Sequence, residues 1–184
     1  MTLRFFVAFL VCLSLSAVGC MPEAPAESPA DAPEAESAPA PPVRSLDRWN
    51  LGQGNVQGHP TILRVRTGLA RVAGDENYPT RVEIVADFLD PRDDGMPQPD
   101  DARALGPIED EIVKQFDIRN EGLLAAVITG NGARTYILMS KRSNVDAAFA
   151  AVKVHAGGHE LHLRVEADPA WKRFLELDAA LRQR

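Results

Sequence analysis

The sequence predicts an α+β domain, an antiparallel sheet with helices laid on one face, from three observations. Apolar and polar residues alternate from Thr80 to Leu89, apolar residues recur at three- and four-residue spacing from Asp101 to Phe116, and Gly130-Asn131-Gly132 joins two apolar runs. Period two belongs to a half-buried strand and the longer period to an amphipathic helix. Asn and Gly accept the positive φ of a tight hairpin turn.

Two segments of different composition precede that domain. Arg4 is the only cation ahead of the apolar run Phe5–Val18, which has the length of an export signal and is short for a bilayer span of about 20 residues. Ala17 and Gly19 flank Val18 immediately before Cys20, in a pattern that resembles a lipobox, with Ala17 in place of the usual leucine. Residues 1–19 are therefore expected to be a lipoprotein signal peptide, and Cys20 the lipidated first residue of the mature chain. Met21 is not the aspartate associated with inner-membrane retention. The expected location is the cell envelope, on the periplasmic face of the outer membrane in a Gram-negative organism. Multiple acyl chains anchor firmly because each buried methylene contributes about 0.8 kcal/mol.

Residues 20–44 continue as a tether rich in Pro, Ala and Glu. Up to Pro42 no aliphatic residue larger than Ala follows Met21, so it buries too little apolar surface to offset its ordering entropy. Extended at about 3.1 Å per residue, it reaches roughly 70 Å from a membrane. Cys12 and Cys20 are the only cysteines, so the mature domain has no disulfide to rely on.

Residues 45–184 have the size of one domain. Formal net charge is −6; the first 44 residues, with two arginines and five carboxylates, carry −3, which leaves −3 on the remainder. A mildly acidic domain lacks the concentrated basic face that nucleic acid requires.

Ser45–His59 gives a weak strand signal among Gly, Asn and Gln, and Thr61–Thr67 alternates Leu63 and Val65 with Arg64 and Arg66. A polar connection from Gly68 to Pro79 leads to the clear strand Thr80–Leu89. A turn-rich loop, Asp90–Asp101, precedes the helix Asp101–Phe116, in which Pro107 resets or kinks the first turns. Gly122–Thr129 and Ala133–Ser140 form the hairpin, Val145–Val154 a second helix ended by Gly157-Gly158, and His159–Glu166 the last strand. Asp168-Pro169 then suits a helix start, with Asp168 capping and Pro169 at the first helical position. Trp171, Phe174, Leu175 and Leu181 are spaced to lay that helix on the body of the domain.

From Thr80 the order is strand, helix, strand, strand, helix, strand, which is ferredoxin-like, with one or more extra N-terminal strands and a C-terminal helix. In that topology Gly122–Thr129 lies at an edge, where an apolar strand invites aggregation. The N-terminal segment, the C-terminal helix or a second chain is expected to cover it.

Five short motifs recur in order over most of the domain: Tyr78-Pro79, Asp90-Pro91-Arg92-Asp93-Asp94-Gly95-Met96-Pro97, Ile108-Glu109-Asp110, Thr129 to Arg134, and Asp168-Pro169-Ala170-Trp171. With them the chain resembles the family called domain of unknown function six-nine-five. The resemblance implies an α+β domain and brings no activity and no catalytic residues. Relatives look linked to a domain similar to an inhibitor of ribonuclease E, which hints at protein binding. Many have tyrosine where this chain has Phe174.

The remaining constellations fall short of known chemistry. His155, His159, His162 and Glu160 suggest zinc, but His159-Glu160-Leu161-His162 is one residue short of the zincin spacing, and on a strand His159 and His162 face opposite sides. Asp90–Asp101 has the length of a calcium loop, with Arg92 where a ligand belongs and Asp101 too short for a bidentate glutamate. Gly130-Asn131-Gly132 lacks a third glycine, and Thr129, Ser140 and Ser143 lack a nucleophile elbow. Arg134, Lys141 and Arg142 suit a solvated rim better than an anion site, and Trp171 suits a core plug.

No catalytic residue, cofactor or metal site is assigned; Cys20 is the one site residue. The expected function is a non-catalytic, lipid-anchored envelope module that binds a protein partner or itself, with membrane lipid held through Cys20. The alternatives are an envelope hydrolase using some of Asp93, Asp94, His159 and His162, and a small-ligand carrier.

Overall fold

The computed structural model describes residues 46–183. The expected signal peptide, Cys20 and the expected tether lie outside the described residues. Six strands, β1 (Asn50–Val56), β2 (His59–Val65), β3 (Thr80–Asp87), β4 (Gly122–Gly130), β5 (Ala133–Ser140) and β6 (Leu161–Ala167), form one antiparallel sheet in the order β1-β2-β4-β5-β3-β6. The run β6-β3-β5-β4 is the ferredoxin-like order, extended by the N-terminal hairpin beyond β4.

The alternation in β3 does what its pattern requires: Val82, Ile84 and Ala86 are fully buried on one face. Asn131 (φ 51°) and Gly132 (φ 80°) turn the β4–β5 hairpin, and Gln57 (φ 53°) and Gly58 (φ 89°) turn β1 into β2. The N-terminal segment, one of the three expected covers of β4, takes its edge. β2 pairs along it from Thr61 opposite Gly130 to Val65 opposite Ala126, so β1 and β6 are the edges. β1 was faint in the sequence because its Gly-rich stretch carries little strand propensity; pairing to β2 supplies what local preference lacks.

Helices α1 (Pro99–Ala104), α2 (Gly106–Val113) and α3 (Asp146–Lys153) cover one face of the sheet. Ile108, Ile112 and Phe116 pack there on Val82, Ile84 and Leu138. The single helix expected over Asp101–Phe116 is two helices and a π-helical turn, Lys114–Ile118, with Pro107 in the first turn of α2. Helix α4 (Lys172–Arg182) covers the opposite face, where Trp171, Phe174 and Leu177 pack on Val65, Ala126 and Ile137. A bulge between Leu124 and Ala126 in β4 turns Ala125 and Ala126 toward α4 while Leu124 and Val127 face α2. Burial on both faces accounts for the unbroken apolar run.

Two details of α4 differ from expectation. Asp168 does accept hydrogen bonds from the backbone N–H groups of Lys172 and Arg173, but the helix begins at Lys172. Pro169 therefore sits in the preceding turn, because Trp171 takes a left-handed conformation (φ 53°) that no helix continues through. Leu175 points to solvent and Leu177 takes the packing position.

Candidate functional site

The sheet brings several of the motif-bearing loops to one end. Gly95, in the Asp90–Pro97 loop, lies against the Asn131-Gly132 turn: Gly132 N–H donates to Gly95 O at 2.8 Å, and Phe88 N–H donates to Gly132 O at 2.8 Å. A Cβ on Gly95 would sit 3.0 Å from Asn131 Cα, so the closeness of the two loops depends on glycine there. Asp94 accepts from Met96 N–H and pairs with Arg92, which shapes the loop from within.

The candidate metal and catalytic side chains are dispersed at this end. His159 is buried: Nδ1 donates to the Asp87 carbonyl at 2.8 Å, and Nε2 lies 3.3 Å from Asp101 Oδ1. Asp101, the last position of the possible calcium loop, is thus turned into the protein. His155 lies near Glu111 (3.6 Å) at the far end of α3. Hydrogen bonds from Gln115 and Lys114 hold the Glu111 carboxyl below the usual carboxylate range. The concavity beside Asp90, Asp93 and Asp94 is lined by neither His159 nor His162, so the set proposed for hydrolysis is not gathered. Burial pushes the Tyr136 phenol up to about 12, and it donates to Leu105 O.

His162 lies on the solvent side of β6, opposite in direction to His159. Its Nε2 is 2.9 Å from Asp87 Oδ2 and 3.9 Å from Glu160 Oε1. Ligand atoms of Asp87, Glu160 and His162 all lie within 4.8 Å of one another. No sequence window showed this trio, because Asp87 arrives from β3.

The basic residues Arg134, Lys141 and Arg142 do not converge: Arg134 donates to Thr129 Oγ1, Lys141 lies over the Tyr78 ring, and Arg142 pairs with Glu121. Arg64 and Arg66 instead hold β2 to α2 and its π-helical turn through Glu109 and Asp117, with Trp49 stacked on both guanidinium groups.

The most apolar concavity is a cleft of about 350 Å³ between α4 and the N-terminal hairpin. Gly52, Thr61, Leu63, Ile128 and Gly130 contribute to its floor; Leu177, Ala180 and Leu181 form its wall, with Arg173 its only ionisable lining group. Glycine lets α4 close down on β1. A Cβ on Gly52 would lie 2.2 Å from Leu181 Cδ2, so α4 approaches only over bare backbone. The cleft opens beside β1, whose seven residues include no charge and leave Leu51 65% exposed and Val56 57% exposed. The other edge, β6, exposes Arg164 and Glu166 and is guarded by them.

Among the described residues no helix is long and apolar enough to cross a membrane. Comparisons with curated proteins and with solved structures give no match. The family model described as "Family of unknown function (DUF695)" matches residues 47–177, which take in β1 through the first half of α4 and all five motifs. The chain therefore belongs to the DUF695 family.

Proposed function

We propose that this is a non-catalytic, lipid-anchored envelope protein whose domain binds an extended segment of a partner protein along β1. The observation that carries the reading is an uncharged strand that is at the sheet edge among the described residues, beside an apolar cleft. Strand addition supplies main-chain hydrogen bonds, and alternate side chains of the added strand give specificity by entering a pocket. Leu181 fills the space over Gly52, and those side chains enter the cleft beside it. The partner segment is uncharged and presents a large apolar residue at every second position.

A second copy fits this site poorly. Two β1 strands paired about a two-fold axis bring the same face together, so Gly52 and Gly54 of each would meet the other and leave the cleft unfilled. The sequence supports the location: the run before Cys20 has the length and flanks of a lipoprotein signal. Cys20→Ser is expected to shift the protein from the membrane to the soluble fraction of fractionated cells. Retention of this variant in the membrane would contradict the anchor.

A photo-crosslinker at Leu51, activated in intact cells, is expected to give one discrete adduct with another protein, whose crosslinked peptide is extended and apolar. Ala180→Glu puts a charge in the cleft and Leu51→Lys guards the edge, and each is expected to weaken binding of that peptide about tenfold or more. Both positions are exposed, so folding is retained. Adducts only between copies of this chain, or peptide binding indifferent to both changes, would overturn the proposal.

A further inference from the structure

We propose that Asp87, Glu160 and His162 form a site for a divalent transition-metal cation of the zinc class. On the solvent-facing side of β3 and β6, the cross-strand rungs place Arg81 opposite Glu166 and Glu83 opposite Arg164. Opposite charges face each other on both rungs, and Arg81 pairs with Glu166. Val85 faces His162 on the next rung; past Ala86 and Leu161, Asp87 faces Glu160, its N–H donating to Glu160 O at 3.1 Å.

The final rung breaks the charge rule. Two carboxylates directly opposite each other repel. Among the described residues neither has a lysine or arginine partner; the His162 imidazole is their only ionic contact. Every polar rung of this ladder is charge-complementary except the one beside a histidine, and a cation between the three side chains removes the exception.

The donor set selects the metal. One imidazole nitrogen and two carboxylate oxygens suit zinc or manganese better than calcium or magnesium, which favour oxygen alone. His162 Nε2 and Asp87 Oδ2, now 2.9 Å apart at a hydrogen-bond distance, need to open only to the roughly 3.4 Å that separates tetrahedral ligands of one zinc. Glu160 Oε1, 3.9 Å from Nε2, closes by side-chain rotation, and its exposed position permits that. The backbone behind is held fixed, since the Asp87 carbonyl accepts from buried His159. Solvent exposure leaves the remaining coordination positions to water or to a group from another molecule. The site is independent of the β1 surface, which lies at the opposite edge of the sheet.

The test is calorimetric titration of zinc chloride into the full chain in detergent, with free thiols alkylated. One saturable site is expected, together with shifts of the His162 imidazole resonances that saturate at one equivalent. His162→Ala and Asp87→Asn should each weaken binding at least about tenfold, and Asp93→Asn should leave it unchanged. Glu160→Arg makes the last rung complementary; it should abolish zinc binding while raising the melting temperature of the metal-free protein. Absence of saturable binding tighter than about 1 mM, or zinc affinity that survives His162→Ala or Glu160→Arg, would overturn the site.

Discussion

Trp171→Ala is expected to destabilise the domain by about 4 kcal/mol, the upper part of the range for large aromatic truncations. The indole is fully buried, meets Tyr78 and Phe174 edge-on at 6.1 and 5.8 Å, and donates from Nε1 to Tyr78 O at 3.1 Å. Truncation removes the plug between α4 and the sheet and orphans a carbonyl. A domain of this size has about 5–15 kcal/mol in hand, so roughly a quarter to four-fifths of its margin goes. Trp171→Phe keeps the ring and loses mainly the hydrogen bond, about 1 kcal/mol. Urea denaturation followed by circular dichroism measures both, and a loss below 1 kcal/mol for the alanine variant would refute this account of α4 docking.

Asp101→Leu is expected to cost about 3 kcal/mol, because it leaves the buried His159 Nε2 facing an apolar side chain. The Asp87 carbonyl can only accept, so Nδ1 carries a hydrogen and Nε2 is the atom presented to Asp101. Neither Nε2 nor the Asp101 oxygens make a well-aligned hydrogen bond, and Nε2 and Oδ1 face each other at 3.3 Å. Asp101→Asn should cost less, since its amide can donate to Nε2. The His159→Leu, Asp101→Leu double variant should lose less than the sum of the single changes, as apolar replacement of both partners removes the desolvation penalty. Additive losses in a denaturation cycle would show that the two side chains do not act as a pair.

The pair links the first helix to the turn before the last strand, and no sequence window contains both residues. His159 in the sequence offered only a place in a loose histidine cluster; in the structure it is a buried anchor, and the nearby exposed histidine joins a different set. The zinc pattern sought along the chain was absent because its spacing rules describe helices. Ligands on neighbouring strands follow the register of the sheet, and His162 and Asp87 are 75 positions apart.

Local chemistry was legible wherever it was sufficient. The alternation in β3, the Asn131-Gly132 turn, the break near Pro107 and the burial of Trp171 each follow from a few adjacent residues, and the order of elements led to the ferredoxin-like arrangement. β1 was faint, since a Gly-rich strand becomes a strand by having a partner, and only the pairing with β2 decided which of the expected covers takes the β4 edge. The export signal and Cys20 rest on composition and spacing alone.

By itself, then, the amino-acid order determined the α+β class, the succession of elements and the family, because periodicity and turn chemistry act over a few residues. Only the tertiary structure decided that β1 and β6 are the sheet edges among the described residues, that Gly52 lets α4 close on β1, and that Asp87 faces Glu160 beside His162. Those outcomes depend on strand register and close backbone approach between distant segments, and no short-range preference encodes either.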